Sequence, residues 1–189
     1  MDIGILLWLQ EHVRSDVLTP LFVFITGLGD IGFVWIAIGA VLVTKKRWRA
    51  AGILLWIALL SEWLLVDGVI KNIVMRERPF HANPLLLALI EEPDSFSFPS
   101  GHTGSSFAAA VVLWRSLPHK AALPFCLLAV LIAFSRLYVG VHYPTDVLAG
   151  AVIGICVGLI CCRAQSAFFA WRAKKKAASE TTGKSEAHL

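Results

Sequence analysis

Charge is what this chain has least of: only 16% of its 189 residues are Asp, Glu, Lys or Arg, whereas 57% are hydrophobic and the mean hydropathy is +0.72. Its apolar runs are too many and too long for a soluble core, since a helix needs about 20 apolar residues to cross the hydrocarbon of a bilayer. The composition therefore predicts an all-α integral membrane protein of one domain, a bundle of about five transmembrane helices. Cysteine is scarce too. Cys126, Cys156, Cys161 and Cys162 fall within or at the inner ends of apolar segments, so no disulfide framework is implied. Also missing is the basic start, short apolar core and small-residue cleavage site of a removable signal peptide, so the segments themselves carry the targeting. The net charge of +4 sits in short clusters between apolar runs, a topology pattern and not a nucleic-acid footprint.

Residues 1–14 place Ile3, Leu6, Leu7, Leu9 and Val13 against Gln10, Glu11, His12 and Arg14. Such a stretch is too short to span and reads as an interfacial amphipathic helix. The run from Val17 to Val43 is long enough to cross but holds Gly27-Leu28-Gly29-Asp30, where a kink or break is expected. A second crossing runs from Ala50 to Val74 and contains Glu62, Asp67 and Lys71, the last two spaced to meet on one helix face. Three more follow, over Ser100–Leu117, Ala121–Tyr138 and Pro144–Cys162. The membrane domain is expected to end near residue 165, with 166–189 as a flexible basic tail. Trp8, Trp35, Trp48, Trp56, Trp63, Trp114 and Trp171 are read as membrane-interface belts.

Lys45 to Arg49, Arg115 to Lys120 and the tail must share the cytoplasmic side, and five crossings satisfy this with the amino terminus outside and the carboxyl terminus inside. The end of the second crossing, the start of the third and the junction of the last two then lie on the outer face. Those places hold Lys71, Arg76, Arg78, His102, Arg136, His142 and Asp146. Cations where the topology rule disfavours them call for another explanation.

Lys71 and Arg78 are seven apart, so a continuing helix puts them on one face with Arg76 turned away, and Pro79 ends it. Alone, the pair reads equally well as cations snorkelling to the headgroups. Ser100 is a natural N-cap, Gly101 permits close backbone approach, and the free N–H groups of the helix start suit an anion. An ordinary capped start explains Ser100 but not His102. Pro144 suits a first helical turn, which leaves His142 just before it and Asp146 just inside. A carboxylate there holds the imidazole in one tautomer and turns its other nitrogen outward, as a nucleophile or base requires.

Lys71 with Arg78-Pro79, then Pro99-Ser100-Gly101-His102, then Ser135-Arg136 with His142 and Asp146 resemble, in order and spacing, the three-part signature of the type 2 phosphatidic acid phosphatase family. The resemblance implies that His142 attacks phosphorus to give a phosphohistidine, Asp146 orients His142, and His102 protonates the leaving oxygen. It implies that Lys71, Arg78 and Arg136, with Ser100 and the Gly101 amide, bind the phosphoryl oxygens, with no metal or other cofactor. Phosphoryl transfer is mostly positioning plus stabilisation of spread negative charge, which such a cation ring supplies. The implied partners are a membrane lipid phosphate and the bilayer of a bacterial plasma membrane. The short layout, without the extra leading helix of some relatives, resembles the bacitracin-resistance type of undecaprenyl pyrophosphate phosphatase. Phosphatidylglycerol phosphate, phosphatidate and lipid A phosphate stay open as substrates, as does the oligomeric state.

Residues 80–98 read either as a short amphipathic lid over a lipid entry or as a plain loop. Glu62 reads either as a relay or cavity group or as a carboxyl paired inside the bundle. A serine hydrolase built on Ser100, His142 and Asp146 leaves the three cations without a task. A metal hydrolase is opposed by their repulsion, and a lipid or anion transporter needs no oriented nucleophile.

Overall fold

Every turn of the chain falls where its apolar runs are interrupted. In the computed structural model, which describes residues 2–186, with side chains over 2–176, helix α1 (Asp2–His12) is followed by α2 (Leu18–Leu28). The expected break comes next: Gly29, a 3-10 turn at Asp30–Gly32, and α3 (Phe33–Thr44), bent 51° from α2. Ile31 (φ 48°) and Gly32 (φ 71°) are left-handed there. Helix α4 (Arg49–Leu65) runs through a π turn (Val66–Ile70) into α5 (Lys71–Val74), and a single turn, α6 (Pro79–Ala82), leads into the irregular stretch 83–100. Then come α7 (Gly101–Ser116), α8 (His119–Tyr138) and α9 (Pro144–Glu186). No strand forms among the described residues. Arg49–Ala82, His119–Tyr138 and Pro144–Lys176 are long and apolar enough to cross a membrane, and the bent α2–α3 pair, counted as one broken span, is a fourth. The chain is an all-α integral membrane protein.

Helix α7, at 16 residues shorter than these spans, is the axis of the bundle. It packs most extensively on α9, where Gly150, Gly154 and Gly158 recur every fourth residue. A Cβ at Gly154 would strike the backbone of Gly104 and Ala108, so the stripe lets two backbones approach closely, the usual basis of helix association in lipid. Trp35, Leu55, Ala58, Val112, Leu113 and Ile132 fill the core between α3, α4, α7 and α8. Trp35 departs from the expected belt: it is fully buried, and its indole N–H donates to Ser106 Oγ at 3.0 Å. Trp8, Trp56, Trp63, Trp114 and Trp171 are exposed. Leu60, Ile57, Leu127, Val130, Leu148 and Val152 form the outward apolar girdle.

Three local expectations change. The helix carrying Lys71 stops at Val74, four residues before Arg78, because Met75 turns left-handed (φ 48°). Pro79 therefore opens the next turn and does not end the previous helix. Residues 85–90 are not helical; Leu86 is buried beside Leu6 and Tyr143 while Leu85 and Leu87 are exposed. No helix ends near residue 165, since Ala164, Ala167, Ala170 and Ala173 and the intervening basic residues favour helix and α9 continues to Glu186. Beyond Cys162 its described side chains are almost all exposed, including Phe168, Phe169 and Trp171.

Candidate active site

Gly140 (φ 81°) lets the chain leave α8 and turn into α9, and that turn carries His142. Its imidazole is 2% exposed, with Nε2 3.3 Å from Arg78 Nη1. A guanidinium offers only N–H groups, so the lone pair is on Nε2 and the proton on Nδ1. Nδ1 faces Asp146 Oδ2 at 3.5 Å, an ion-pair separation longer than a made hydrogen bond. Burial first, then the charges of Arg136, Arg78 and Lys71, hold the His142 pKa well below the ordinary histidine range. These surroundings thus favour the neutral ring over its charged form.

Arg78 is 4% exposed and is fixed by its backbone neighbours: Nη1 donates to Val141 O at 2.8 Å and Nε to Ser95 O at 2.8 Å. Ser95 Oγ accepts from Arg78 Nη2 (3.1 Å) and from Lys71 Nζ (3.3 Å), so the loop serine rejoins the two cations that the early helix end separates. Lys71 pairs with Asp67 at 2.6 Å, as their spacing predicts. Arg136, 2% exposed, donates through Nη1 to Thr26 Oγ1, and its Nε has no partner among the described residues. A buried guanidinium with an unused donor is an anion site in waiting.

Lys71, Arg78, Gly101, His102, Arg136 and His142 all line one cavity of about 1180 Å³. Ser100 and Asp146 do not line it; both are fully buried behind it. Ser100 Oγ accepts from the Thr103 amide (3.4 Å) and the Thr103 hydroxyl (3.0 Å), so it caps α7 and serves the fold. Replacing it with alanine is expected to lower stability by about 1 kcal/mol and to leave turnover within about threefold of wild type; denaturation and initial-rate assays check both. His102 meets Asp30 of the α2–α3 break, Nε2 to Oδ1 at 2.9 Å.

From the ring of cations the cavity runs down the flank between α3 and α4, past Ile36, Trp56, Leu60 and Trp63. Trp56 donates to Ile36 O at 3.1 Å across that flank. Glu62, 2% exposed, lines the same cavity, and its Oε1 accepts no hydrogen bond from the described residues. Residues 90–95 border the mouth.

The PAP2 superfamily model matches residues 50–170, the segment that holds all of these groups except Thr26, Asp30 and Ile36. The chain belongs to the PAP2 superfamily. It is 36% identical to an undecaprenyl-diphosphatase of Sulfolobus acidocaldarius over 84% of its own length and 76% of that protein's. Among solved structures it superposes on Aquifex aeolicus LpxE with a TM-score of 0.75 at 27% identity, covering 86% of this chain and 94% of that one. It also superposes on a PAP2 type phosphatidylglycerolphosphate phosphatase of Bacillus subtilis with a TM-score of 0.71 at 27% identity, covering 87% and 84%.

The PAP2 site also uses residues that the spacing did not single out. Arg76, expected to point away, does leave the cavity, but it turns onto Asp146: Nη1 to Oδ1 is 2.5 Å. The same guanidinium reaches Thr145 Oγ1 (2.7 Å) and Asp2 of α1 (3.0 Å) and stacks 3.8 Å over the Tyr143 ring. Ser97 Oγ and the Tyr143 amide donate to the other Asp146 oxygen at 2.5 and 3.0 Å. The carboxylate behind His142 is therefore held in place from three sides. The one signal in the sequence was an arginine two residues before Arg78, and nothing local said which carboxylate it would meet.

Proposed function

We propose that this protein is a metal-independent lipid phosphatase that works through a phosphohistidine on His142, with undecaprenyl pyrophosphate as its substrate and undecaprenyl phosphate as product. The observation that carries the reading is the His142 Nε2 lone pair facing a cavity ringed by Lys71, Arg78 and Arg136. In the first step Nε2 bonds to the terminal phosphorus as the bond to the bridging oxygen breaks, and His102 gives its proton to that oxygen where one is needed. The cations hold the equatorial oxygens, where charge spreads in the transition state. Asp146 stabilises the positive charge that forms on the His142 ring. Water then attacks phosphorus as the bond to Nε2 breaks and phosphate leaves; the water proton returns to His102 where the first step took one, and otherwise stays with the released phosphate.

Membership of a lipid phosphatase superfamily and the Sulfolobus undecaprenyl-diphosphatase support the substrate class. The apolar flank lined by Ile36, Trp56, Leu60 and Trp63 suits a long hydrocarbon tail entering from the side. Placement of the basic clusters supports a site on the extracytoplasmic face of a bacterial plasma membrane, with the carboxyl terminus in the cytoplasm. Phosphate release in detergent, read as relative kcat/KM over undecaprenyl pyrophosphate, phosphatidylglycerol phosphate, phosphatidate and a lipid A phosphate, tests it. Undecaprenyl pyrophosphate is expected to lead, with turnover in EDTA equal to that without; abolition by chelator or another lipid leading would refute the corresponding part.

A further inference from the structure

We infer that Asp30 is the positioning residue of His102, so that each histidine of the site has its own carboxylate. The inference rests on the reading of His102 as the proton donor. Three separate features of the α2–α3 break converge on this contact. Asp30 Oδ1 lies 2.9 Å from His102 Nε2, the one side-chain hydrogen bond either group makes among the described residues. Gly29 beside it lies under the imidazole: a Cβ there would come within 2.7 Å of His102 Cδ2 and 3.0 Å of Ile132 Cγ2. The turn that brings Asp30 onto His102 places Ile31 in the left-handed region at φ 48°, where a β-branched residue is strained by about 1–3 kcal/mol.

Packing does not explain that strain, because Ile31 is 89% exposed. What the bend delivers is the carboxylate. The charges facing His102 say why one is required. Arg136 from α8 and Lys71 from α5 act on it as cations, and His142 from the α8–α9 turn is a further titratable group; Asp30 is the anion in contact. A donor set among phosphate-binding cations needs a counter-charge to keep its proton until the leaving oxygen takes it. With Nε2 committed to Asp30, Nδ1 is the nitrogen that gives the proton to the leaving oxygen. Asp30 touches neither phosphorus nor leaving group and acts only through the ring.

Leaving-group chemistry separates this role from a structural one. Phosphatidate expels an alkoxide, which needs a proton, because its conjugate alcohol is about as weak an acid as water at ~15.7. Undecaprenyl pyrophosphate expels a phosphate whose second pKa is about 6, which does not. Wild type, Asp30→Asn and Asp30→Glu are assayed as full-length protein in detergent on both lipids, at equal amounts of monodisperse protein by size exclusion. The expected result is a fall in kcat on phosphatidate of at least about 100-fold in Asp30→Asn, with KM little changed. On undecaprenyl pyrophosphate the fall is less than about fivefold, and Asp30→Glu recovers at least about tenfold on phosphatidate. Equal losses on both lipids, or none on either, would overturn the assignment. A wild type silent on both would overturn the phosphatase reading itself, which the variants alone cannot do.

Discussion

His142→Ala is expected to fold normally and to release phosphate from undecaprenyl pyrophosphate at least about 10⁴-fold more slowly than wild type. Losses of this size follow removal of a covalent nucleophile, because no neighbouring group can take over the bond to phosphorus. The variant should also fail to take up a covalent, acid-labile phosphate label from terminally labelled substrate. Folding is not at risk for a physical reason. His142 is buried among Arg136, Arg78 and Lys71, none of which favours its charged form, and its ring makes only weak polar contacts among the described residues, to Arg78 at 3.3 Å and to Asp146 at 3.5 Å. Turnover near the wild-type rate in the purified variant would end the phosphohistidine mechanism. Label uptake with turnover abolished would move the nucleophile elsewhere and leave His142 to the hydrolytic step.

Arg136 is expected to give the next largest effect: alanine should lower kcat/KM by about 10²–10³-fold, the range seen when one preorganised donor to a developing oxyanion is removed. Lysine should recover little. The Arg136 guanidinium uses Nη1 on Thr26 and keeps Nε unpaired, so one planar group both anchors itself and presents a donor. An ammonium is a point charge and cannot do the two at fixed angles. Steady-state kinetics on lipid in detergent give the comparison. A lysine variant within about threefold of wild type would mean that charge alone is used, and would remove the geometric part of the proposal.

Much of this site could be read before any fold was known, because its signals are local. Ser100 before an apolar run, Pro144 at a helix start and Asp146 four residues after His142 each follow from short-range rules, and each is found as expected. The break at Gly27 to Asp30 was equally plain. Its purpose was not, since Asp30 and His102 are 72 residues apart and meet only because α2, α3 and α7 converge. Arg76 and Asp146 meet across 70 residues for a similar reason. The early end of α5 was hidden differently: Met75 carries no turn signal, and its left-handed backbone is imposed by the tertiary setting. Ser100 was visible as a cap, and that is the role its hydroxyl fills; its placement behind the cavity depended on which side of α7 faces α9. Trp35 shows the limit of reading composition alone, since a tryptophan near an apolar segment end is as readily a core residue with one hydrogen bond as a boundary marker.

The cavity's apolar flank between α3 and α4 also has a kinetic meaning. A pocket entered along the side of the bundle samples the two-dimensional fluid around it, so the quantity that fills it is the mole fraction of substrate among neighbouring amphiphiles. Adding inert lipid or detergent at constant total substrate dilutes the enzyme's surroundings without changing the volume of the sample. For a protein built this way, the Michaelis constant belongs on a surface-concentration axis, and crowding of the bilayer by other long-chain lipids acts as competition even when they carry no phosphate.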